Sequence, residues 1–487
     1  MSTTWRERLK TLRDNIFGPQ SADDSSFSAP APQSDELAEE ITKQPLHINL
    51  GIDFGTSFTK VCYRDLGTEE TGVVVFEDFS EDDGLIPTII SIDDEGYLYI
   101  GEECPDKTNC ISIKYIKMML ADMPINDDLP VINGVNLNNR KCVYALASWF
   151  LSSVIKLSQE WVSQNETNRL INREPVWSAN VGVPVEHYDS DALQTFQKVL
   201  GIAWLWVKND NAPAAVTELV TCYENAAKKL KSENIDFHAV PEIAAAVQSF
   251  IISREAVPGV YVYFDVGGGT LDGVAFKFLN EDGERQINFY SGKVSSLGIA
   301  KLSASLSSSP SPANLEDFDE IIKDSTQNRQ NELAQQIREM VGNVVITAKR
   351  KDGRSWQEDA FQSKEYQKRF MPLTTAQMRP LPVFIGGGGA RSNWYQKSIE
   401  STYAKFGHKN AGIPPYKLIE VPKPNDLDMG ELPDEQFRRF AISYGLSIPY
   451  GEGPAVRLPS QFERVNPRKA IKPDGIVDYS DSKDVYD

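Results

Sequence analysis

The chain is short of histidine, of cysteine and of positive charge. Its four histidines (His47, His187, His238 and His408) are too scattered along 487 residues to suggest a set of metal ligands, and each reads as a surface or packing residue. The five cysteines (Cys62, Cys104, Cys110, Cys142 and Cys222) are odd in number and lack CxxC spacing. That argues against a zinc site and a disulfide framework, and fits a reducing compartment. No apolar run approaches the roughly 18 residues of a membrane span. Residues 1–17 carry charges throughout and show no apolar core before a small-residue cleavage site, so no signal peptide is expected and the expected compartment is the cytoplasm. Lys and Arg number 50 against 69 Asp and Glu, a formal net charge of −19. Duplex binding needs cations to displace counterions, so nucleic acid is not an expected partner.

What is present is ordinary globular composition, 41% hydrophobic and 24% charged. In residues 1–17, Trp5, Leu9, Leu12 and Ile16 recur at helical spacing, with Arg6, Arg8, Lys10 and Arg13 around them. This amphipathic helix is either a self-packed end or a docking element for a partner or an anionic membrane surface. Residues 18–45, rich in Ser, Ala, Pro, Asp and Gln, read as a flexible linker. From residue 46 the pattern mixes strands and helices, which predicts an α/β fold. Strands are expected at 47–52, 61–63, 72–76, 88–92, 175–183, 260–265, 273–278 and 382–385, and helices at 142–162, 192–200, 241–252, 331–349 and 437–447. The Ser/Pro-rich stretch 303–312 reads as a surface loop, and 451–487 as a polar, acidic tail.

The informative feature is an internal repeat. INLGIDFGTSFTKVCY (48–63) and VYVYFDVGGGTLDGVAF (260–276) are each an apolar strand ending in Asp (Asp53, Asp265), a glycine-rich turn with hydroxyls, and a second apolar strand. The turns are Gly55, Thr56 and Ser57 in one and Gly267, Gly268, Gly269 and Thr270 in the other. Such turns let backbone N–H groups approach phosphate oxygens without a Cβ in the way. A strand-end Asp offers hard oxygen to Mg²⁺ or its waters, and Lys60 could neutralise phosphate charge. Two such hairpins facing each other would clamp a polyphosphate. A third glycine cluster, VFIGGGGARSNW (383–394), runs from a strand into an expected helix, with Gly387 and Gly388 open to a flat ring or ribose.

Taken in order, these segments resemble the actin, sugar kinase and DnaK-type heat-shock chaperone superfamily. GIDFGTSFTK (51–60) is similar to its first phosphate motif, DVGGGTLD (265–272) to the second phosphate motif of the chaperone branch, and GGGGAR (386–391) to the adenosine motif. VPEIAAAV (240–247) and FAISYGLS (440–447) resemble the two interlobe helices, VWSANVGVPVEHYD (176–189) the strand and proline turn before the first of them, and Ala348-Lys349-Arg350 an adenine-contacting triplet. The resemblance covers roughly residues 46–450 and is closest to the chaperone nucleotide-binding domain. It implies a two-lobed actin-like ATPase fold, each lobe a ribonuclease-H-like mixed sheet flanked by helices: lobe I at 46–240, lobe II at 241–436, and an interlobe helix at 437–450. It implies ATP or ADP with Mg²⁺ in the cleft. Gly55, Thr56, Ser57, Lys60, Gly267, Gly268, Gly269 and Thr270 would hold phosphates, and Lys349, Arg350, Gly387, Gly388 and Arg391 would frame the adenosine. Asp53 and Asp265 would organise the metal and its waters, while Asp265 or Asp272 would orient or deprotonate the attacking water.

The chain departs from the chaperone pattern in two places that bear on hydrolysis. The first interlobe helix opens with Pro241-Glu242 where chaperones have Glu-Pro, which shifts the water-positioning carboxylate, here Glu242. GEECP (101–105) stands where chaperones place a catalytic lysine after Gly-Asp-Ala-Ala, with Lys107 and Lys114 nearby and neither a secure substitute. The stretch from Arg350 to Gly386 is much shorter than in chaperones, and residues 448–487 are too few for a peptide-binding domain with a lid. The expectation is an ATP-binding, slowly hydrolysing switch that acts with a protein partner, through the N-terminal helix or the acidic tail. The alternatives are a sugar-type small-molecule kinase with Asp272 as base, an actin-like filament protein, and a non-catalytic scaffold.

Overall fold

The computed structural model describes residues 43–463 apart from 78, 80–83, 103, 105–109, 124–128, 233–235, 254–255, 307–314 and 353–379. The expected N-terminal helix, most of the linker and the tail beyond residue 463 lie outside the described residues. The first sheet starts with β1 (Gln44–Asp53), in which every residue from Ile48 to Asp53 is buried, the pattern of a strand covered on both faces. β2 (Phe58–Asp65) returns antiparallel with Lys60 opposite Asp53, and β3 (Thr71–Val74) is antiparallel to β2. The helices α1 (Ile116–Leu120) and α2 (Arg140–Asn165) intervene before β4 (Arg173–Val183), which lies parallel to β1 on its free side. After α3 (Ala192–Lys208), β5 (Phe237–Pro241) adds parallel to β4. The order is β5-β4-β1-β2-β3, extended beyond β3 by the strand Leu427–Asp428.

Two short helices, α4 (Glu242–Ala246) and α5 (Gln248–Ile252), lead to the second sheet. There β6 (Gly259–Val266), β7 (Leu271–Glu281) and β8 (Glu284–Ser295) form an antiparallel meander. After α6 (Ile299–Leu306) and α7 (Gln327–Asp352), β9 (Leu381–Gly386) lies parallel to β6. Beyond α8 (Asn393–Lys405), the strand Tyr416–Ile419 lies parallel to β9. The second sheet therefore has the same order and the same strand directions as the first. Even the short added strands correspond: Leu427–Asp428 runs parallel to β3, and Ala455–Arg457 parallel to β8. The repeat seen in two sequence segments is a repeat of sheet topology.

Strand alternation sorts the side chains into layers. In β6, Val260, Val262, Phe264 and Val266 pack with Ile337, Val341 and Val344 of α7, while Tyr261 and Tyr263 point to the opposite face. That face shares a middle core with α4 and with α9 (Phe437–Ser447), through Ile243, Ala245, Phe440 and Tyr444. Ile48, Leu50 and Ile52 of β1 join Phe150, Leu151 and Val154 of α2 in the outer core of the first sheet. α9 sits at backbone distance from its neighbours. A Cβ on Gly51 would come within 2.1 Å of the Ser443 carbonyl oxygen, and one on Gly445 within 2.0 Å of the Ala245 carbonyl oxygen. The last carbonyls of α9, which have no partner within the helix, are met by side chains of the first sheet. Asn49 Nδ2 donates to Ser447 O at 2.8 Å, and Asn180 Nδ2 to Leu446 O and Ile448 O, each at 2.8 Å.

The α/β class expected from the sequence is the class observed. Three local expectations are corrected. Residues 303–306 are the end of α6 rather than loop, because the Gly267 and Gly268 carbonyls accept from the first N–H groups of that helix. The helix expected at 241–252 is the end of β5 followed by two short helices that divide at Val247. Cys104 and Cys110 are joined by a disulfide, where the scattered cysteines had argued against a disulfide framework and for a reducing compartment.

Candidate functional site

The two glycine hairpins occupy equivalent places in the two sheets, at the β1–β2 and β6–β7 turns, and they meet. A Cβ on Gly268 would lie 2.0 Å from Ser57 Oγ, and one on Gly269 would lie 2.3 Å from Thr56 Cγ2. Contact this close is possible only because both positions lack side chains. In the first turn Gly55 N donates to Asp53 O at 2.9 Å, and in the second Gly267 N donates to Thr270 O at 2.9 Å. The second turn is braced from behind by α6, where Ala300 N donates to Gly268 O at 2.8 Å. The third cluster abuts the end of β6. Gly389 N donates to Val266 O at 2.9 Å, and Gly387, at φ 82°, has the left-handed backbone that glycine adopts without strain. A Cβ there would meet Asp265 Oδ1 at 2.8 Å.

Beneath the turns lies a buried set of charges drawn from both sheets. Asp53 ends β1, Asp265 nearly ends β6, Asp272 lies opposite Asp265 on β7, and Glu242 opens α4. Two lysines face them. Lys60 Nζ lies 2.9 Å from Asp53 Oδ2, and Lys117 Nζ lies 2.5 Å from Glu242 Oε1. Asp53, Glu242, Asp272 and Lys117 are all buried. Burial pushes Glu242 up to about 7; Lys117 opposes this and Asp53 adds to it. Burial pushes Asp265 up to about 6 against the pull of Lys60. Asp272 is pushed well above the usual carboxylate range by burial and then by Glu242. For Lys117, burial alone would depress the ammonium, but Glu242, Asp53 and Asp272 together outweigh it and hold it above its ordinary value. Burial and mutual repulsion thus favour the protonated form of Glu242 and of its neighbour Asp272, while Asp265 is raised against the pull of Lys60.

Sequence reasoning missed Lys117. Of the two lysines it weighed, Lys107 lies outside the described residues, and Lys114 is an exposed partner of Glu102 at 2.7 Å. The available signal was a lysine inside the otherwise apolar run Ile116–Leu120, where a charge is retained only if it meets an opposite one. The expected adenosine residues are less gathered. Gly387 lies against β6 and Gly388 faces Arg439, with 3.9 Å between the ideal Cβ and Nε. Lys349 donates to the Gly412 carbonyl at 3.1 Å, and Arg350 and Arg391 are exposed.

Asp272 Oδ1 is buried and makes no hydrogen bond, an orphaned hard acceptor beside Glu242. Four carboxylates against two lysines leave an excess of negative charge when all are ionised. These features fit a divalent cation of the Mg²⁺ kind, which keeps several waters and uses one or two carboxylates together with substrate phosphates. Among the described residues, no group of three or more His, Cys, Asp or Glu is placed to hold a metal ion. Nor, among them, is any helix long and apolar enough to cross a membrane. No protein-family model matches the chain, and no curated protein sequence is significantly similar to it.

Proposed function

We propose that the chain is an ATP-binding, slowly hydrolysing nucleotide switch of the actin, sugar kinase and DnaK-type chaperone superfamily, with two ribonuclease-H-like lobes that close on Mg·ATP. The observation that carries this reading is the meeting of two equivalent glycine turns, Ser57 against Gly268 and Thr56 against Gly269, above one buried acid–lysine cluster. Gly55, Thr56, Ser57 and Lys60 hold phosphates from one side, and Gly267, Gly268, Gly269 and Thr270 from the other. Gly387 and Gly388, with Lys349, Arg350 and Arg391, frame the adenosine. Asp53 and Asp265 would hold Mg²⁺ by way of its waters. When bound, the metal offsets charge on the phosphates.

The protein's own contribution to hydrolysis is positioning and charge. Glu242, pushed up to about 7, is partly ionised at neutral pH and in that form can accept a proton from water, with Asp272 beside it. Lys117 keeps Glu242 oriented through its 2.5 Å contact and offsets negative charge in the crevice. The short helices α4 and α9, crossing at Gly445, are where opening and closure of the lobes would be felt by a protein partner. The test is calorimetric titration with ATP in the presence of Mg²⁺, together with phosphate release. Saturable binding with slow release, abolished by Asp265→Ala, is expected. Absence of both binding and a thermal shift with Mg·ATP would refute the reading.

A further inference from the structure

α1 bridges the two halves of the molecule at the glycine turns. Lys117 donates to Glu242, Met118 Sδ lies 3.2 Å from the Cβ position of Gly269, and the ring of Tyr115 lies 5.8 Å beneath Lys301 Nζ of α6. The approach to α1 is rigid. The strand Cys110–Ile113 is paired with Ile90–Asp93 from Asp93 opposite Cys110 to Ile113 opposite Ile90. Tyr115, at φ 62°, then turns the chain directly into the helix. That backbone is costly for a tyrosine and leaves little freedom between strand and helix. The start of this unit is fixed covalently, because Cys110 is bonded to Cys104, six residues earlier. Cys104 is buried, whereas Cys110 is partly exposed and open to attack from solvent. The other three cysteines are free. Burial pushes the Cys62 and Cys142 thiols up to about 12 and about 11 and leaves them unreactive, and it raises that of Cys222.

We propose that Cys104 and Cys110 are a reversible thiol–disulfide site that sets how firmly α1 holds the second glycine turn, exchanging with a low-molecular-weight thiol and its disulfide. Its consequence for nucleotide rests on the reading of the site given above. In reduction, a thiolate RS⁻ attacks the Cys110 sulfur, the Cys104 sulfur leaves as thiolate and takes a proton, and a mixed disulfide forms at Cys110. A second RS⁻ attacks the R sulfur of that mixed disulfide, giving RSSR and the Cys110 thiolate. The net change is one protein disulfide and two RSH converted to two protein thiols and one RSSR. The reverse sequence restores the bridge. The bonded form pins the strand start and keeps Lys117 and Met118 in place. The dithiol form loosens α1.

The experiment equilibrates the full-length chain in glutathione buffers from fully reduced to fully oxidised. Native alkylation with mass spectrometry counts thiols, hydrogen exchange is followed at residues 113–120, and ATP affinity is measured in the same buffers. The expected result is reversible interconversion confined to Cys104 and Cys110, exchange in α1 at least about threefold faster in the reduced state, and weaker ATP binding in that state. The Cys104→Ser/Cys110→Ser variant should behave as the reduced protein in every buffer. A pair that never forms, never opens, or leaves exchange in α1 unchanged between states overturns the proposal, and wild-type protein alone suffices to show it. Unequal exchange in a protein that binds no nucleotide would sustain the redox coupling and refute the nucleotide reading instead.

Discussion

Replacing Lys117 with methionine keeps the volume of the side chain and removes its charge. In the native protein Lys117 Nζ lies 2.5 Å from Glu242 Oε1, with both side chains nearly inaccessible. Breaking a buried pair from one side ordinarily costs about 3–5 kcal/mol. Here Glu242 already sits at about 7, so on losing its partner it takes up a proton at little cost at pH 7. The expected loss at pH 7 is therefore smaller, about 2–3 kcal/mol. The pH dependence is the sharper expectation. A carboxyl whose folded pKa is raised contributes stability below its unfolded pKa and loses it as pH rises through the folded value. In the wild type that loss ends near 7. In Lys117→Met, where the folded pKa of Glu242 is higher still, it continues. The gap between the two proteins should be nearly flat below pH 7 and widen by about 1.4 kcal/mol per pH unit above it. For a chain of this length about 1 kcal/mol corresponds to about 1 °C, so thermal melts should separate by about 2–3 °C at pH 7 and by about twice that at pH 9. Lys117→Met/Glu242→Gln removes the charge left behind and should abolish the widening. On the proposed function both variants lose turnover by about 100-fold or more, while ATP still binds. A gap that stays constant from pH 7 to 9, or that widens equally in the double variant, would refute the reasoning.

Gly268→Ala places a Cβ 2.0 Å from Ser57 Oγ; the circular dichroism spectrum should be unchanged while ATP affinity, read by calorimetry, drops about tenfold or more. Wild-type affinity in that variant would show that the two turns do not grip a common ligand. Gly445→Ala drives a methyl into the Ala245 carbonyl oxygen, a backbone atom that cannot rotate away, and should lower stability in denaturant unfolding by about 1–3 kcal/mol or more. Asp265, pushed up to about 6, must lose its proton to bind a metal. Mg²⁺ affinity should be level above pH 7 and fall about tenfold per unit below pH 6, and Asp265→Asn should flatten the profile. In the metal-free protein the same shift removes stability as pH rises from about 4 to about 6, opposite in sign to a salt-bridged carboxylate.

Local pattern exposed some of this molecule and hid the rest for identifiable reasons. The glycine turns at 55–57 and 267–270 were legible because the turn chemistry is local and each follows an apolar strand ending in Asp. The helix at 437–447 was legible to the residue, as it ends where Asn49 and Asn180 cap its carbonyls. Lys117 was not, since a lone lysine in the apolar run Ile116–Leu120 signals that it meets an opposite charge but not which one, and its partner Glu242 is 125 positions away. The helix Val216–Lys229 escaped notice because its buried face is only Val216, Leu219, Tyr223 and Ala226. The split at Val247 was invisible because every residue from Glu242 to Ile251 is buried, and periodicity cannot mark a break in a segment without an exposed face. The Cys104–Cys110 bond escaped because spacing arguments address frameworks and zinc knuckles, whereas this is a single local bridge of six positions that ends on the first residue of a strand.

The placement of α9 also has a consequence for how the chain is made. The first sheet receives its inner cover, and Asn49 meets the Ser447 carbonyl, only across a separation of 398 positions. At about 5–20 residues per second of synthesis, the emerging polypeptide would hold that apolar face open for about 20–80 s before the segment that seals it leaves the ribosome. Early translation products should therefore be sticky, and a truncation before Phe437 should aggregate rather than fold to a smaller version of the same molecule.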